Sequence, residues 1–131
     1  KIMNRTEDFG YITPVYTGAV KRYCQTLDLK NDPELIKTYR HWHSKEHIWP
    51  EIPKGIREVG ILNMEIYLLG NRLFMIVETP ADFDWDSAFG RLATLERQAE
   101  WEAFVDKFQQ SEAGAASDEK WQRMEQIFQL P

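Results

Sequence analysis

The sequence predicts an α+β domain in which two helices cover one face of a four-stranded antiparallel sheet. Three observations support this class: a single-domain length of 131 residues, the element order strand, helix, strand, strand, helix, strand, and a tight turn at Gly70–Asn71. That order is the ferredoxin-like split βαβ pattern. Because the helices cover only one face, we expect a second copy of the chain to cover the other. The prediction is a homodimer whose sheets form a dimeric α/β barrel.

The N-terminal part divides into an irregular arm, residues 1–19, and the start of a single domain, residues 20–131. Gly10, Pro14 and Gly18 interrupt any regular pattern in the arm. Val20–Leu29 then alternates as a strand does.

The stretch from Asp32 to Glu51 is the centre of the predicted site. Asp32 is an N-cap residue type and Pro33 fits the first helical position. Apolar and aromatic residues then recur at spacings of three and four, which predicts an amphipathic helix. Pro50 predicts that this helix bends or restarts near Ile48–Trp49, and that a short second helix, Pro50–Val59, follows and stops at Gly60.

The second half begins with the strongest local signal, a β-hairpin. Ile61–Leu69 and Arg72–Thr79 are strand-like runs separated by Gly70 and Asn71, whose positive φ angles would permit the turn. The later elements are then predicted as one long helix over Asp84–Gln110, a polar loop over Ser111–Glu119 and a final strand over Arg123–Leu130.

Composition excludes several classes of partner. The formal net charge is −5 and no basic run occurs, which argues against nucleic acid and anionic membranes. No apolar run approaches the ~18 residues of a membrane span. The single Cys24 cannot form an intramolecular disulfide, and we interpret it as a reduced core residue of a cytoplasmic protein.

His43 and Tyr39 are the candidates for acid–base chemistry. They are four residues apart and therefore share one helix face, and His titrates near neutral pH. His41 and His47 lie nearby, but the metal-binding HExxH pattern and a third ligand are missing, so no metal site is expected. The alternative is a buried structural Tyr–His pair in a core helix.

An ordered set of motifs resembles the L-rhamnose mutarotase family, which also contains L-fucose-type members. The set comprises Tyr39 and His43, IWPE at Ile48–Glu51, EIYLLGNRLFMIVE at Glu65–Glu78, QAEWEAF at Gln98–Phe104 and the C-terminal EKWQRMEQIFQLP. The resemblance covers roughly Val20–Pro131. The family's fold is a dimer of ferredoxin-like subunits, in agreement with the pattern above.

The resemblance implies that the protein interconverts the α and β anomers of a 6-deoxy-hexose, L-rhamnose or L-fucose, without a metal or organic cofactor. It assigns catalysis to His43 and Tyr39, and sugar binding to Trp49, Met64, Trp101 and Glu102. Whether Tyr39 or a Glu is the second proton-transfer group stays open.

Departures from the family pattern affect the sugar rather than the reaction. The loop between His43 and Trp49 is longer than is common, Met64 stands where a Tyr is expected, and Glu102 replaces a second Trp. Glu102 could accept a sugar hydroxyl or simply be solvated on the helix surface. The alternative function is a non-mutarotase dimer on the same fold, either a cofactor-free oxygenase-like enzyme or a small-ligand-binding module; a non-catalytic interaction module is a third.

Overall fold

The computed structural model describes residues 9–110 and 120–131. The strands are β1 Val20–Asp28, β2 Asn63–Leu69, β3 Arg72–Pro80 and β4 Gln122–Arg123; the helices are α1 Pro33–Trp42, α2 Glu51–Glu58, α3 Trp85–Leu92 and α4 Gln98–Asp106. The strands form one open antiparallel sheet in the order β2–β3–β1–β4. The predicted α+β class with an antiparallel sheet is confirmed. The loop predicted at Ser111–Glu119 lies outside the described residues.

The hairpin of β2 and β3 has the predicted two-residue turn, since Leu69 pairs with Arg72. Of the two turn residues, only Gly70 has a positive φ, 61°, so the expectation that Asn71 also has one is wrong. The Asn71 side chain instead donates a hydrogen bond to the Leu29 carbonyl at 2.9 Å, and the backbone carbonyl of Asn71 accepts one from the Leu29 N–H at 2.7 Å. Asn71 therefore ties the hairpin to the end of β1.

Helix α1 begins as predicted but ends earlier. The Asp32 carboxylate caps it by accepting hydrogen bonds from the N–H groups of Glu34 and Leu35 at 2.9 and 3.3 Å. The helix already ends at Trp42, before the predicted bend or restart near Ile48–Trp49. His43 is its C-cap and the chain then turns, with the Ile48 N–H bonded to the Ser44 carbonyl at 2.9 Å.

The predicted long helix over Asp84–Gln110 is wrong, because α3 and α4 are separate. The helical conformation is interrupted between Ala93 and Arg97. Arg97 has a left-handed φ of 63°, which does not occur in a regular right-handed helix. Leu95, inside the break, still packs against the core. The apolar periodicity therefore continues across a point where the backbone is not helical.

The predicted final strand is also much shorter than expected. Only Gln122 and Arg123 pair with β1, and the chain beyond them has no regular structure. Its apolar side chains are largely exposed: Met124, Ile127, Phe128 and Leu130. Alternation predicted a strand, but β4 pairs with only two β1 residues before the ladder ends.

The core lies between the helices and one face of the sheet. Leu27, Leu73, Met75 and Val77 point from the sheet into it, against buried residues of all four helices. The prediction that Cys24 is a core residue is wrong: its neighbours in the strand face inwards, whereas Cys24 is a half-buried free thiol on the helix-free face.

Among the described residues, no helix combines the length and apolar character that crossing a membrane requires.

Candidate functional site

A cavity of about 450 Å³ lies between the inner sheet face and the helices. This volume is in the range of small-molecule sites. Aromatic and aliphatic side chains from the four described helices and from β2 and β3 line it. Among its polar lining residues are Gln25, Tyr39, His43, Gln98, Glu102 and Gln109. An apolar cavity with a few converging polar groups is the usual form of a ligand site.

The last turn of α1 positions Tyr39 and His43 against each other. Their rings are stacked with centroids 4.0 Å apart and planes inclined by 27°. Tyr39 is buried and His43 half-buried, and both line the cavity. The i, i+4 spacing on one helix face produces this contact directly.

One hydrogen bond fixes the tautomer of the His43 ring. Its Nδ1 lies 2.7 Å from the backbone carbonyl oxygen of Tyr39. Because a carbonyl only accepts, Nδ1 must carry the proton, and the neutral ring then has its lone pair on Nε2. Burial lowers the pKa of His43 below its ordinary value of 6.5 despite this hydrogen bond. His43 is therefore neutral at neutral pH, with Nε2 able to accept a proton.

Tyr39 has the opposite property, since it keeps its proton. Burial, opposed by the hydrogen bond from Gln109 and reinforced by the charge of Glu102, raises the pKa of its hydroxyl to about 12. The Gln109 Nε2 lies 3.5 Å from the hydroxyl oxygen. The site thus combines a neutral imidazole with a hydroxyl that remains a donor.

Glu102 is the carboxylate of the cavity and is held by two neighbours. Gln98, one turn earlier on α4, donates to its Oε2 at 2.8 Å, and the Lys120 ammonium lies 3.6 Å from its Oε1. The Lys120 side chain is only 1% exposed, and it also pairs with Asp106 at 3.3 Å. Burial raises the pKa of Glu102, and Lys120 and Gln98 oppose that rise. Glu102 is therefore not the solvated surface residue that one interpretation expected.

The aromatic residues form two layers. Trp101 is buried, lines the cavity and lies with its ring 5.1 Å from His43. Trp49 is not among the lining residues; its ring packs against Trp101 at 5.1 Å, and the Arg97 guanidinium covers it at 4.0 Å. Met64, from β2, lines the cavity. Of the four residues expected to bind sugar, the structure places three on the cavity wall and Trp49 behind it.

The remaining two histidines lie outside the cavity wall. His41 and His47 are exposed, with ring centroids 3.9 Å apart, and His47 Nδ1 is 2.9 Å from the Ser44 hydroxyl. Within residues 9–110 and 120–131, no three His, Cys, Asp or Glu side chains are placed to hold a metal ion. The cavity and its His–Tyr pair are therefore the candidate site.

Sequence reasoning missed three glutamines and a lysine: Gln25, Gln98, Gln109 and Lys120. Gln98 could have been found, because it stands one turn before Glu102 on the same helix. Lys120 has no such signal, since its contact with Glu102 joins residues 18 positions apart. Gln109 reaches Tyr39 across 70 positions.

Sequence comparisons identify what this chain resembles. The L-rhamnose mutarotase family matches residues 22–130. An L-fucose mutarotase of Xanthomonas campestris pv. campestris is 36% identical over 112 residues, which cover 86% of this chain and 90% of that protein. A UPF0734 protein of Dictyostelium discoideum is 38% identical over 114 residues, covering 84% and 90%.

A solved structure has the same fold. The crystal structure of an L-rhamnose mutarotase from Formosa agariphila superimposes with a TM-score of 0.61 at 19% identity, covering 85% of this chain and 99% of that one. The family match extends over most of the chain, and the oxygenase-like and binding-module alternatives are not favoured. This chain therefore belongs to the L-rhamnose mutarotase family, isomerases that interconvert the anomers of a sugar.

Proposed function

We propose that this enzyme interconverts the α and β anomers of a 6-deoxy-hexose, L-rhamnose or L-fucose, by acid–base ring opening. The mutarotase names of its relatives suggest this substrate class. Ring opening needs only two proton transfers, and after a rotation about one bond the reverse transfers close the ring. It requires no electron sink and no nucleophile of the enzyme.

His43 is the proposed base. Its Nε2 takes the proton of the anomeric hydroxyl, the bond between C1 and the ring oxygen breaks, and the ring oxygen gains a proton. Rotation about the C1–C2 bond then presents the other face of the aldehyde, and the same steps in reverse close the ring. A positioned base of this kind contributes about 10²–10⁴-fold.

Tyr39 is the proposed donor to the ring oxygen. With a pKa of about 12, its hydroxyl stays protonated at neutral pH. The stacking of its ring on His43, at 4.0 Å, would present the base and the donor to one bound sugar. Preorganising both groups removes much of the entropic cost of bringing them together.

The other assigned residues bind the sugar. The Trp101 ring and Met64 would pack on its apolar C–H surface, as aromatic and apolar walls do for sugars. Glu102 would accept hydroxyl hydrogen bonds, since a carboxylate has more acceptor sites than Gln98 and Lys120 use. Trp49 would support Trp101 from behind.

One observation carries this proposal: the hydrogen bond between His43 Nδ1 and the Tyr39 carbonyl leaves Nε2 with the lone pair of the ring. The test is NMR magnetisation exchange between the α and β anomers of a panel of deoxy-sugars, with and without the enzyme. We expect faster exchange for L-rhamnose or L-fucose, unchanged after chelator treatment. Activity that is lost with chelator and restored by zinc would overturn the metal-free mechanism.

We also propose that the protein is a homodimer of ferredoxin-like subunits joined through the helix-free sheet face into an α/β barrel. That face presents Cys24, Thr26, Phe74, Ile76 and Tyr67, all half-buried in the single chain. The described part of the arm touches it, with the Tyr16 hydroxyl donating to Glu78 at 3.0 Å. Exposed apolar residues of the arm and the C-terminal tail, such as Val15 and Phe128, would extend the interface.

A further inference from the structure

Gln109 is a buried cavity residue that neither the sequence motifs nor the proposed mechanism uses. The residue is 4% exposed, and its side-chain amide nitrogen lies 3.5 Å from the Tyr39 hydroxyl. Its backbone is fixed, because it forms a β-bridge with Leu29 and the next N–H, of Gln110, bonds to the Asp28 carbonyl at 2.8 Å. The amide therefore projects into the cavity from a rigid position.

The side-chain oxygen of Gln109 has no hydrogen-bond donor among the described residues. A buried acceptor without a partner costs free energy, so such groups are nearly always satisfied by protein, water or ligand. The other buried oxygen without a hydrogen bond, Glu51 Oε1, lies 3.5 Å from the Arg97 guanidinium and away from the cavity wall. In the part of the chain that the structure describes, only the Gln109 oxygen is both unsatisfied and on the wall of the site.

We propose that Gln109 is a specificity-determining residue whose Oε1 accepts a hydrogen bond from one non-anomeric hydroxyl of the bound sugar. This inference rests on the proposed mutarotase function and deepens it. The amide contacts Tyr39 through its nitrogen, so the accepted hydroxyl lies beside the group that protonates the ring oxygen. A sugar without that hydroxyl leaves a buried oxygen unpaired, which is the strongest way in which a polar site rejects an analogue.

The test combines two variants with a series of sugars. Gln109→Met keeps the length of the side chain but removes the amide, and Gln109→Asn keeps the amide but withdraws it by one methylene. Exchange rates are measured by NMR for the preferred sugar and for its 2-, 3- and 4-deoxy derivatives, after subtraction of the uncatalysed rate. Both variants are first compared with the wild type by circular dichroism and urea unfolding, and Gln109→Asn serves if Gln109→Met does not fold.

We expect kcat/KM for the preferred sugar to fall about 10-fold in either variant. For one deoxy-sugar the wild type should show a comparable loss, and the variants should match the wild type within about two-fold, because the interaction is already absent. A variant that loses the same factor on every sugar, or that loses nothing, would overturn the inference while the wild-type activity stands. Failure of the wild type on every sugar would instead overturn the proposed function, and this inference with it.

Discussion

At the scale of residues, the hydrogen bond between His43 Nδ1 and the Tyr39 carbonyl connects the end of α1 to the protonation state of the proposed base. The same carbonyl accepts the His43 backbone N–H at 3.2 Å as α1 ends. The end of the helix therefore fixes both the position of the ring and its tautomer, as the partner of one ring nitrogen generally does for the other. A base placed this way needs no further side chain to orient it.

Replacing His43 by Asn should reduce anomer exchange by about 10²-fold or more, because it removes the group proposed to accept the proton. His41→Asn and His47→Asn are the matched controls, since both rings are exposed and outside the cavity wall. They should leave exchange near the wild-type rate. A folded His43→Asn variant with normal exchange by NMR would remove the central assignment.

The pH dependence follows from the two shifted pKa values. Because burial lowers the pKa of His43 below 6.5, the neutral base persists as the pH falls, and kcat/KM should decline with a midpoint below 6.5. Tyr39, with its pKa of about 12, should cause no alkaline decline up to pH 10.0, the ordinary Tyr value. A profile of kcat/KM from pH 4.5 to 10 tests both; an acid midpoint above 6.5 would contradict the role of His43.

Lys120→Met should both destabilise the protein and weaken sugar binding. It leaves Glu102 and Asp106 without their shared cation, at a cost of about 1–3 kcal/mol in the free energy of unfolding. Because Lys120 lowers the pKa of Glu102, its loss also favours the protonated carboxyl, a poorer acceptor. KM should therefore rise.

The control for Lys120→Met is Asp106→Asn. This variant removes the second carboxylate that contacts Lys120, and Asp106 is not part of the cavity wall. Urea unfolding measures the stability of each variant, and NMR exchange at several sugar concentrations measures KM. If the two variants raise KM equally, Lys120 acts on overall stability rather than on Glu102.

At the scale of elements, the features that depend on a few adjacent residues can be predicted from the sequence, and those that depend on distant residues cannot. The Asp32 cap, the two-residue length of the hairpin turn and the stop at Gly60, just after α2, each depend on a few adjacent residues, and the sequence predicts each of them. The break before α4 depends on the left-handed backbone conformation of Arg97. Arginine rarely has a positive φ, so the sequence does not predict one there. The partners of Glu102 and Tyr39 come from distant segments, which periodicity cannot reveal.

Two glycines offer a matched stability test of this local chemistry. Gly60 has a φ of 98°, so Gly60→Ala should cost about 1–2 kcal/mol through backbone strain, although Phe83 leaves room for the methyl at 3.9 Å. Gly90 lies within α3, and no atom of the described residues lies within 4 Å of its Cβ position, so Gly90→Ala should stabilise the protein by about 0.5–1 kcal/mol. Urea midpoints measure both; changes of the same sign would contradict the assigned backbone conformations.

At the scale of the whole molecule, the helices leave one sheet face uncovered. Phe74 and Ile76 alternate outwards along β3 while Leu73, Met75 and Val77 are buried on the inner side. The exposed apolar residues of the C-terminal tail, which the sequence assigned to the last strand, follow β4 in the chain. β4 is an edge strand of the same sheet. Both features are apolar surface that the described residues of one chain leave partly exposed, and apolar patches of this kind mark interfaces.

Ile76→Lys should therefore convert a wild-type dimer into a monomer at micromolar concentration. Ile76 lies opposite Cys24 on β1 and Glu65 on β2, so within one chain the new ammonium has a carboxylate beside it and the fold should survive. Between two packed sheets the same charge is buried in both subunits, which disfavours association. Ala103→Lys, on the exposed side of α4, adds equal charge away from that face and should remain dimeric. Sedimentation equilibrium distinguishes these outcomes, and a monomeric wild type at micromolar concentration would show that the exposed face has another partner or none.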